Sequence, residues 1–299
     1  MHYYSTYDLI VESEFQLPEL PTVEPETATI DVAIRSAEVE PVPDSEGGTG
    51  RRRIQAEPGI CRLSYDSIGS FLIKNGAQIL FDPDHDGIIE KKITRRLIES
   101  EILGVLCHQR GLLVLHASAV SVDGKGAVFL GDRGAGKSTT AAAFYTGGNG
   151  LFEDDVVGIR FDHEGPVVLP GVPQLRLDPQ AAEALGITDT VRYEDDWGPN
   201  KCYHATGNAP APAPLAGCYI LQEDEGLTIE QCTGQEAFVS LVSQTYAHGL
   251  LADTQTERDH FQQCSEIVET AQIRRIKRPK NFERIPELIE QVTEDVKTC

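Results

Sequence analysis

The run Gly131-Asp132-Arg133-Gly134-Ala135-Gly136-Lys137-Ser138 constrains this chain most, because it fits GxxxxGK[ST] at every position. Such a run works as a tight loop between a strand and a helix. Glycines let successive backbone N–H groups converge on one anion, and the following helix adds the positive end of its dipole. The flanks meet that requirement: Ala127–Leu130 (AVFL) is an apolar strand, and Ser138–Phe144 (STTAAAF) is helix-forming. In this pattern Lys137 reaches the β- and γ-phosphates of a nucleotide and the Ser138 hydroxyl ligates Mg²⁺. A chance glycine-rich turn is the bland alternative; a site for ATP with Mg²⁺ is the expectation.

Phosphoryl transfer also needs a carboxylate near the metal and a group that handles the nucleophile. One helix after the loop, Leu151–Ile159 (LFEDDVVGI) reads as a strand that is apolar at both ends, with Asp154-Asp155 inside it. That is where an acid facing the loop belongs if the strand runs beside it. Adjacent strand residues point to opposite faces. Both Asp therefore serve only if the strand ends or bulges there. The alternative is a solvated acidic strand end.

With 299 residues, about two domains are expected at roughly 150 residues each. Residues 1–90 read as a small β-rich module, with strands at Thr6–Val11, Ala28–Ile34, Ile60–Tyr65 and Ser70–Ile73. Glu40–Arg51 between them is a polar Gly/Pro-rich loop. Residues 91–299 form the nucleotide domain. Its elements are a helical pattern over Ile88–Arg110, strands at Leu112–Val122 and Gly126–Leu130 hinged on Asp123-Gly124, and helices near 235–248, 256–272 and 284–297. Ala205–Pro214 reads as a linker or surface loop, and no internal repeat is visible.

Charge narrows the setting. The chain has 26 basic and 47 acidic residues, a formal net charge of −21, and the acids are dispersed. Such a surface repels phosphate backbones and anionic lipid, so neither a nucleic acid nor a membrane is expected as a partner. No run of about 18 apolar residues and no signal-like N-terminus stands out, so a cytoplasmic protein is expected. Dispersed carboxylates suit a salt-rich cytoplasm, and a halophilic source is expected. The seven cysteines form no CxxC pair or zinc spacing, and their odd number argues for free thiols.

Three segments carry a family resemblance. Leu115–Val120 (LHASAV), Gly131–Thr139 (GDRGAGKST) and Glu153–Ile159 (EDDVVGI) resemble, in order and spacing, the C-terminal domain of the HPr kinase/phosphorylase family. Leu169–Pro179 (LPGVPQLRLDP), Lys201, Tyr7–Pro21 and His260–Pro279 look like a branch of that family, the HPr-kinase-like serine kinases, some of which lie in lasso-peptide clusters. The resemblance implies an α/β fold of the HPr-kinase/PEP-carboxykinase type, a mixed sheet flanked by helices. It implies a kinase moving the γ-phosphate of ATP to a Ser or Thr hydroxyl, with a homo-oligomeric assembly. It makes Asp155 the base, Asp154 its partner at the metal together with Ser138, His116 an active-site histidine, and Asp132, Arg133, Lys137 and Thr139 part of the loop that binds nucleotide. Where bifunctional members carry a metal-binding Glu, this chain has Gln174, so a kinase without phosphorylase activity is expected.

Chemically these roles are coherent. A hydroxyl is a poor nucleophile near neutral pH, and an adjacent Asp accepts its proton as the phosphoryl group moves. Arg176, Lys201 and Arg133 are candidate cationic clamps. A close variant phosphorylates a small hydroxylated molecule such as free serine, and a rival reading is a regulator that binds ATP without transferring phosphate. Asp82–Gly87 reads as an acidic turn, because the calcium-loop position that needs Glu holds Ile93. Arg274–Lys280 (RRIKRPK), the one basic run, is expected to cap a helix and offset local acids. Glu194-Asp195-Asp196 reads as a solvated turn.

Overall fold

The structure is a computed structural model that describes residues 1–24, 29–43, 52–193, 201–246 and 254–298. It is a mixed α/β protein whose chain divides into two compact units, the first formed mainly by Met1–Leu112 and the second by most of the remainder from Leu113 onward. Among the described residues no helix is long and apolar enough to cross a membrane. The six described cysteines are all free and buried.

In the first unit, β1 (His2–Thr6), β2 (Leu9–Ser13), β3 (Val32–Ser36), β4 (Arg52–Glu57), β5 (Ile60–Tyr65), β6 (Gly69–Lys74) and β7 (Gln78–Pro83) make one seven-stranded sheet in the order β1-β2-β3-β7-β6-β5-β4. Strand β3 runs parallel to both neighbours, and the other pairs are antiparallel. The stretch Thr6–Val11, expected as one strand, is instead a hairpin. Tyr7 and Asp8 take φ of 51° and 61°, the left-handed pair that a two-residue turn needs. The Asn-Gly signal of such turns is absent, which hid it. The strand expected at Ala28–Ile34 is Val32–Ser36, and Ala28 lies outside the described residues, as does most of the Glu40–Arg51 loop. Strand β4 (RRIQAE) carries too many polar residues to stand out by pattern, and the apolar run of β7 (QILFDP) is only three residues long before Asp82 and Pro83.

The helical pattern over Ile88–Arg110 is broken into α1 (Lys92–Leu97) and α2 (Leu103–Gln109) by a π-helical turn at Ile98–Ile102. A buried ion cluster lies at this join. Lys92 Nζ stands 3.2 Å from Glu19 Oε1 and 2.8 Å from Glu99 Oε2, and Arg95 forks onto Glu19 at 3.0–3.1 Å. Burial pushes the Glu99 carboxyl up to about 8. Burial also works against the Glu19 charge, but hydrogen bonds from Glu99 and Arg95 hold that carboxyl down at about 2.

In the second unit the chain runs β8 (Leu113–Val122), β9 (Lys125–Leu130), α3 (Lys137–Thr146), β10 (Gly150–Asp162), β11 (Gly165–Val168), β12 (Gln174–Leu177), α4 (Pro179–Ala184), β13 (Cys202–Ala205), β14 (Ala213–Glu223), β15 (Thr228–Gln231), α5 (Gly234–Ser243), α6 (Thr254–Thr270), β16 (Gln272–Arg278) and α7 (Ile285–Lys297). The main sheet has the order β11-β10-β8-β9-β14-β16-β15, and β11 also pairs with β14. Strands β9, β14 and β16 are parallel, so their C-terminal ends share one edge, where open α/β sheets bind ligands.

Alternation along β8 sorts the core into two layers. Val120 and Val122 pack with Phe144 of α3 and Val292 of α7. Leu115, Ala117 and Ala119 pack with Leu241 of α5 and Ile267 of α6 on the opposite face. Both faces are thus covered by helices, which is why β8 and β9 read as nearly continuous apolar runs. The basic run Arg274–Lys280 belongs largely to strand β16 and does not cap a helix. It does offset acids: Arg274 meets Asp295 at 2.9 Å, Lys277 meets Glu230 at 2.9 Å and Lys280 meets Glu223 at 2.7 Å. The Glu194-Asp195-Asp196 turn lies outside the described residues.

Candidate functional site

The glycine-rich loop leaves β9 after Leu130 and enters α3 at Lys137. Gly131 takes a φ of 141°, and a Cβ there would lie 2.9 Å from the Leu221 carbonyl oxygen. Gly136 is the N-cap of α3 with a φ of 96° and no side-chain cap, so the first N–H groups of the helix are left for another partner. Lys137 is buried, and its Nζ crosses back over the loop to donate to the Gly131 carbonyl at 2.7 Å. Burial lowers its pKa, opposed by the charges of Asp155, Asp154 and Asp132. Asp132, Arg133 and Gly134 are exposed at the tip, while Ala135, Ser138 and Thr139 are half-buried.

Two irregularities in β10 decide where the acids point. The register against β8 shifts between Leu151 and Glu153, leaving Phe152 as the extra residue of a bulge. Beyond it Asp154 pairs with Ser118, Asp155 with Ala117 and Val156 with His116. His116 and Ser118 share the α3 face of β8, and Ala117 lies on the other. Plain alternation would send Asp155 away from the loop with Ala117. Its φ of 142° breaks the alternation, and its carboxylate reaches His116 Nδ1 at 3.1 Å. Adjacent acids therefore share one face, at a backbone conformation that costs a non-glycine residue about 1–3 kcal/mol.

The Asp154 carboxylate is buried and hydrogen-bonded at both oxygens. Its Oδ1 accepts from Ser118 Oγ at 2.6 Å and its Oδ2 from the Arg176 backbone N–H at 2.9 Å. The Ser138 side chain also hydrogen-bonds to it. Burial raises its pKa, opposed by these hydrogen bonds. Asp155 is more accessible, at 27% side-chain exposure. His116 Nδ1 also lies 3.2 Å from the Asp155 backbone oxygen. A carbonyl and a carboxylate only accept, so Nδ1 carries the hydrogen and Nε2 is left facing outward from the pair.

Glu153 is the residue that sequence reasoning passed over. It is 4% exposed, and its two oxygens accept from the Asp154 N–H at 2.9 Å and from the Val172 N–H. Burial, with the charges of Asp154 and Asp155, pushes its pKa well up. It thus ties the bulge to the segment before β12. Its place beside the Asp pair was the available signal, obscured by the abundance of acids. Of the candidate clamps, Arg176 donates from Nε to Tyr203 Oη at 3.2 Å. Arg133 lies exposed in the loop and Lys201 is half-exposed just before β13.

Among the described residues no three His, Cys, Asp or Glu side chains are grouped as a metal cage. Mg²⁺ commonly takes only one or two carboxylates, with phosphate oxygens and water completing its shell. The hard oxygen donors Ser138 Oγ and Asp154, with Asp155 beside them, fit that mode.

No family model matches the chain, and no curated protein matches it. Among solved structures it is similar to the Hpr(Ser) kinase/phosphatase from Coxiella burnetii, at 14% identity over 62% of this chain and 96% of that one, with a TM-score of 0.30. What the chain can do follows from its own loop, acids and histidine.

Proposed function

We propose that the second unit is an ATP- and Mg²⁺-dependent kinase that phosphorylates a Ser or Thr hydroxyl of a protein or peptide. The observation carrying this reading is that Asp154 and Asp155, adjacent in sequence, both face the lysine and serine of the glycine-rich loop. The loop amides and Lys137 hold the phosphate chain. Ser138 and Asp154 hold Mg²⁺, which when bound offsets charge on the phosphates. Asp155, the more accessible acid, accepts the proton of the acceptor hydroxyl while the new O–P bond forms and the bond to ADP breaks. His116 donates Nδ1–H to Asp155, which orients the carboxylate.

The test is transfer of label from γ-labelled ATP to candidate peptides and to free serine. Transfer to peptide supports the reading. Transfer to free serine alone moves the acceptor to a small molecule with the same machinery, and tight ATP binding without any transfer makes the protein a nucleotide-sensing regulator. Neutral Gln174 supports a kinase without phosphorylase activity, measured as absence of phosphate-dependent release from the phosphorylated product.

A further inference from the structure

A buried arginine outside the reaction scheme sits against the loop. Arg278, the last residue of β16, is 7% exposed. Its Nη2 donates to the Ala135 carbonyl at 3.2 Å and its Nη1 to the Pro279 carbonyl at 3.3 Å. Its Nε is buried with no hydrogen-bond partner among the described residues. Among the described residues no carboxylate pairs with it; Glu223, its cross-strand neighbour, pairs with Lys280 instead. In a chain with a net charge of −21, leaving a buried guanidinium without an acid is a costly arrangement that needs a reason.

The reason lies in the peptide it touches. In a trans peptide the C=O of Ala135 and the N–H of Gly136 point in opposite directions. A cation fixed on that oxygen therefore turns the Gly136 N–H away from itself and polarises it as a donor. Space for the guanidinium exists only because residue 136 lacks a side chain: a Cβ there would lie 2.0 Å from Arg278 Nη2. The Ala135 carbonyl is held by Arg278 while the Gly136 amide points the other way, at the uncapped N-terminus of α3.

We propose that Arg278 is a positioning residue for anion binding, aiming the Ala135–Gly136 peptide so that its N–H meets a phosphate oxygen, with its own uncompensated charge balanced when the phosphate chain arrives. This inference rests on the proposed nucleotide site. It locates part of the affinity in a residue that touches no ligand atom.

The test measures binding of ATP and of inorganic tripolyphosphate to the full chain by calorimetry, alongside the melting temperature of the ligand-free protein. Arg278→Met is expected to weaken both ligands alike, by roughly tenfold or more (about 1.4 kcal/mol per tenfold), while the ligand-free melting temperature holds or rises, since an unpaired buried charge is removed. Arg278→Lys, which keeps a cation and one donor, recovers part of the loss. The Gly136 amide proton, which moves downfield in wild type when tripolyphosphate binds, moves less in the Met variant. Should the Met variant not fold, Arg278→Gln carries the same expectation. Wild-type affinity in the Met or Gln variant, or a fall in melting temperature without a fall in affinity, overturns the inference. Failure of the wild type itself to bind tripolyphosphate overturns the nucleotide site instead.

Discussion

The carboxylate of Asp155 meets His116 Nδ1 at 3.1 Å although the backbone of Asp155 is paired with Ala117. The contact crosses from one face of the sheet to the other in a single residue, and a φ of 142° makes it possible. Without that turn, only one of the two aspartates would look at the loop.

Asp155→Asn separates binding from chemistry. Asparagine keeps the shape and meets the same backbone strain as aspartate at this position, so stability and ATP affinity should stay near wild type. Transfer should fall by about 10²–10⁴-fold, the usual worth of a general base. Full turnover in this variant would remove Asp155 from the mechanism.

Ser118→Ala takes away the 2.6 Å hydrogen bond that holds Asp154 Oδ1. Partners of metal ligands commonly alter metal affinity by roughly 10–100-fold. The Mg²⁺ concentration needed for half-maximal transfer should rise by that order, with the maximal rate less affected. An unchanged Mg²⁺ dependence would mean that Asp154 is held by its other partners alone.

The ion cluster of the first unit predicts a pH slope. Glu99 goes from an ordinary 4.5 unfolded to about 8 folded, so it takes up a proton on folding. Its contribution is complete below its unfolded value and is lost as pH rises through about 8. Glu19, held at about 2, acts in the opposite sense, and its contribution fails only in acid. Urea denaturation should therefore show stability declining from about pH 5 to about pH 8. Glu99→Gln, which mimics the protonated acid, should flatten that decline. Equal slopes in the two proteins would show that Glu99 does not titrate there.

Salt should stabilise the chain. With a net charge of −21 spread over the sequence, self-repulsion is screened as the Debye length falls to about 3 Å at 1 M salt. The melting temperature should climb with KCl. A flat response from low to molar salt would defeat the halophilic reading.

The nucleotide loop and its flanking elements were legible because a single motif dictates strand, turn and helix together. Observed α3 begins at Lys137, and the hairpin at Asp123-Gly124 takes φ of 49° and 77°, as its residue types require. The acid strand was legible only conditionally. Composition placed Asp154 and Asp155 side by side, but whether both face the loop depends on a bulge and one positive φ, neither of which has a residue-type signature at Phe152 or Asp155. Glu153 and Arg278 were hidden for a related reason. Their importance comes from burial and from the backbone groups they touch, and sequence pattern reports neither. The basic run around Arg278 reads as a helix cap because charge dominates its composition, whereas burial of Ile273 in one core layer and of Ile276 in the other is what a strand covered on both faces requires.

The backbone at Asp155 lies where glycine is at ease and aspartate is not. Asp155→Gly would relax that conformation, and by the proposed mechanism it would also delete the proton acceptor. Selection of this protein for heat resistance alone would favour that exchange and enrich sturdy, inert variants, so any programme to harden the fold must score turnover in the same round.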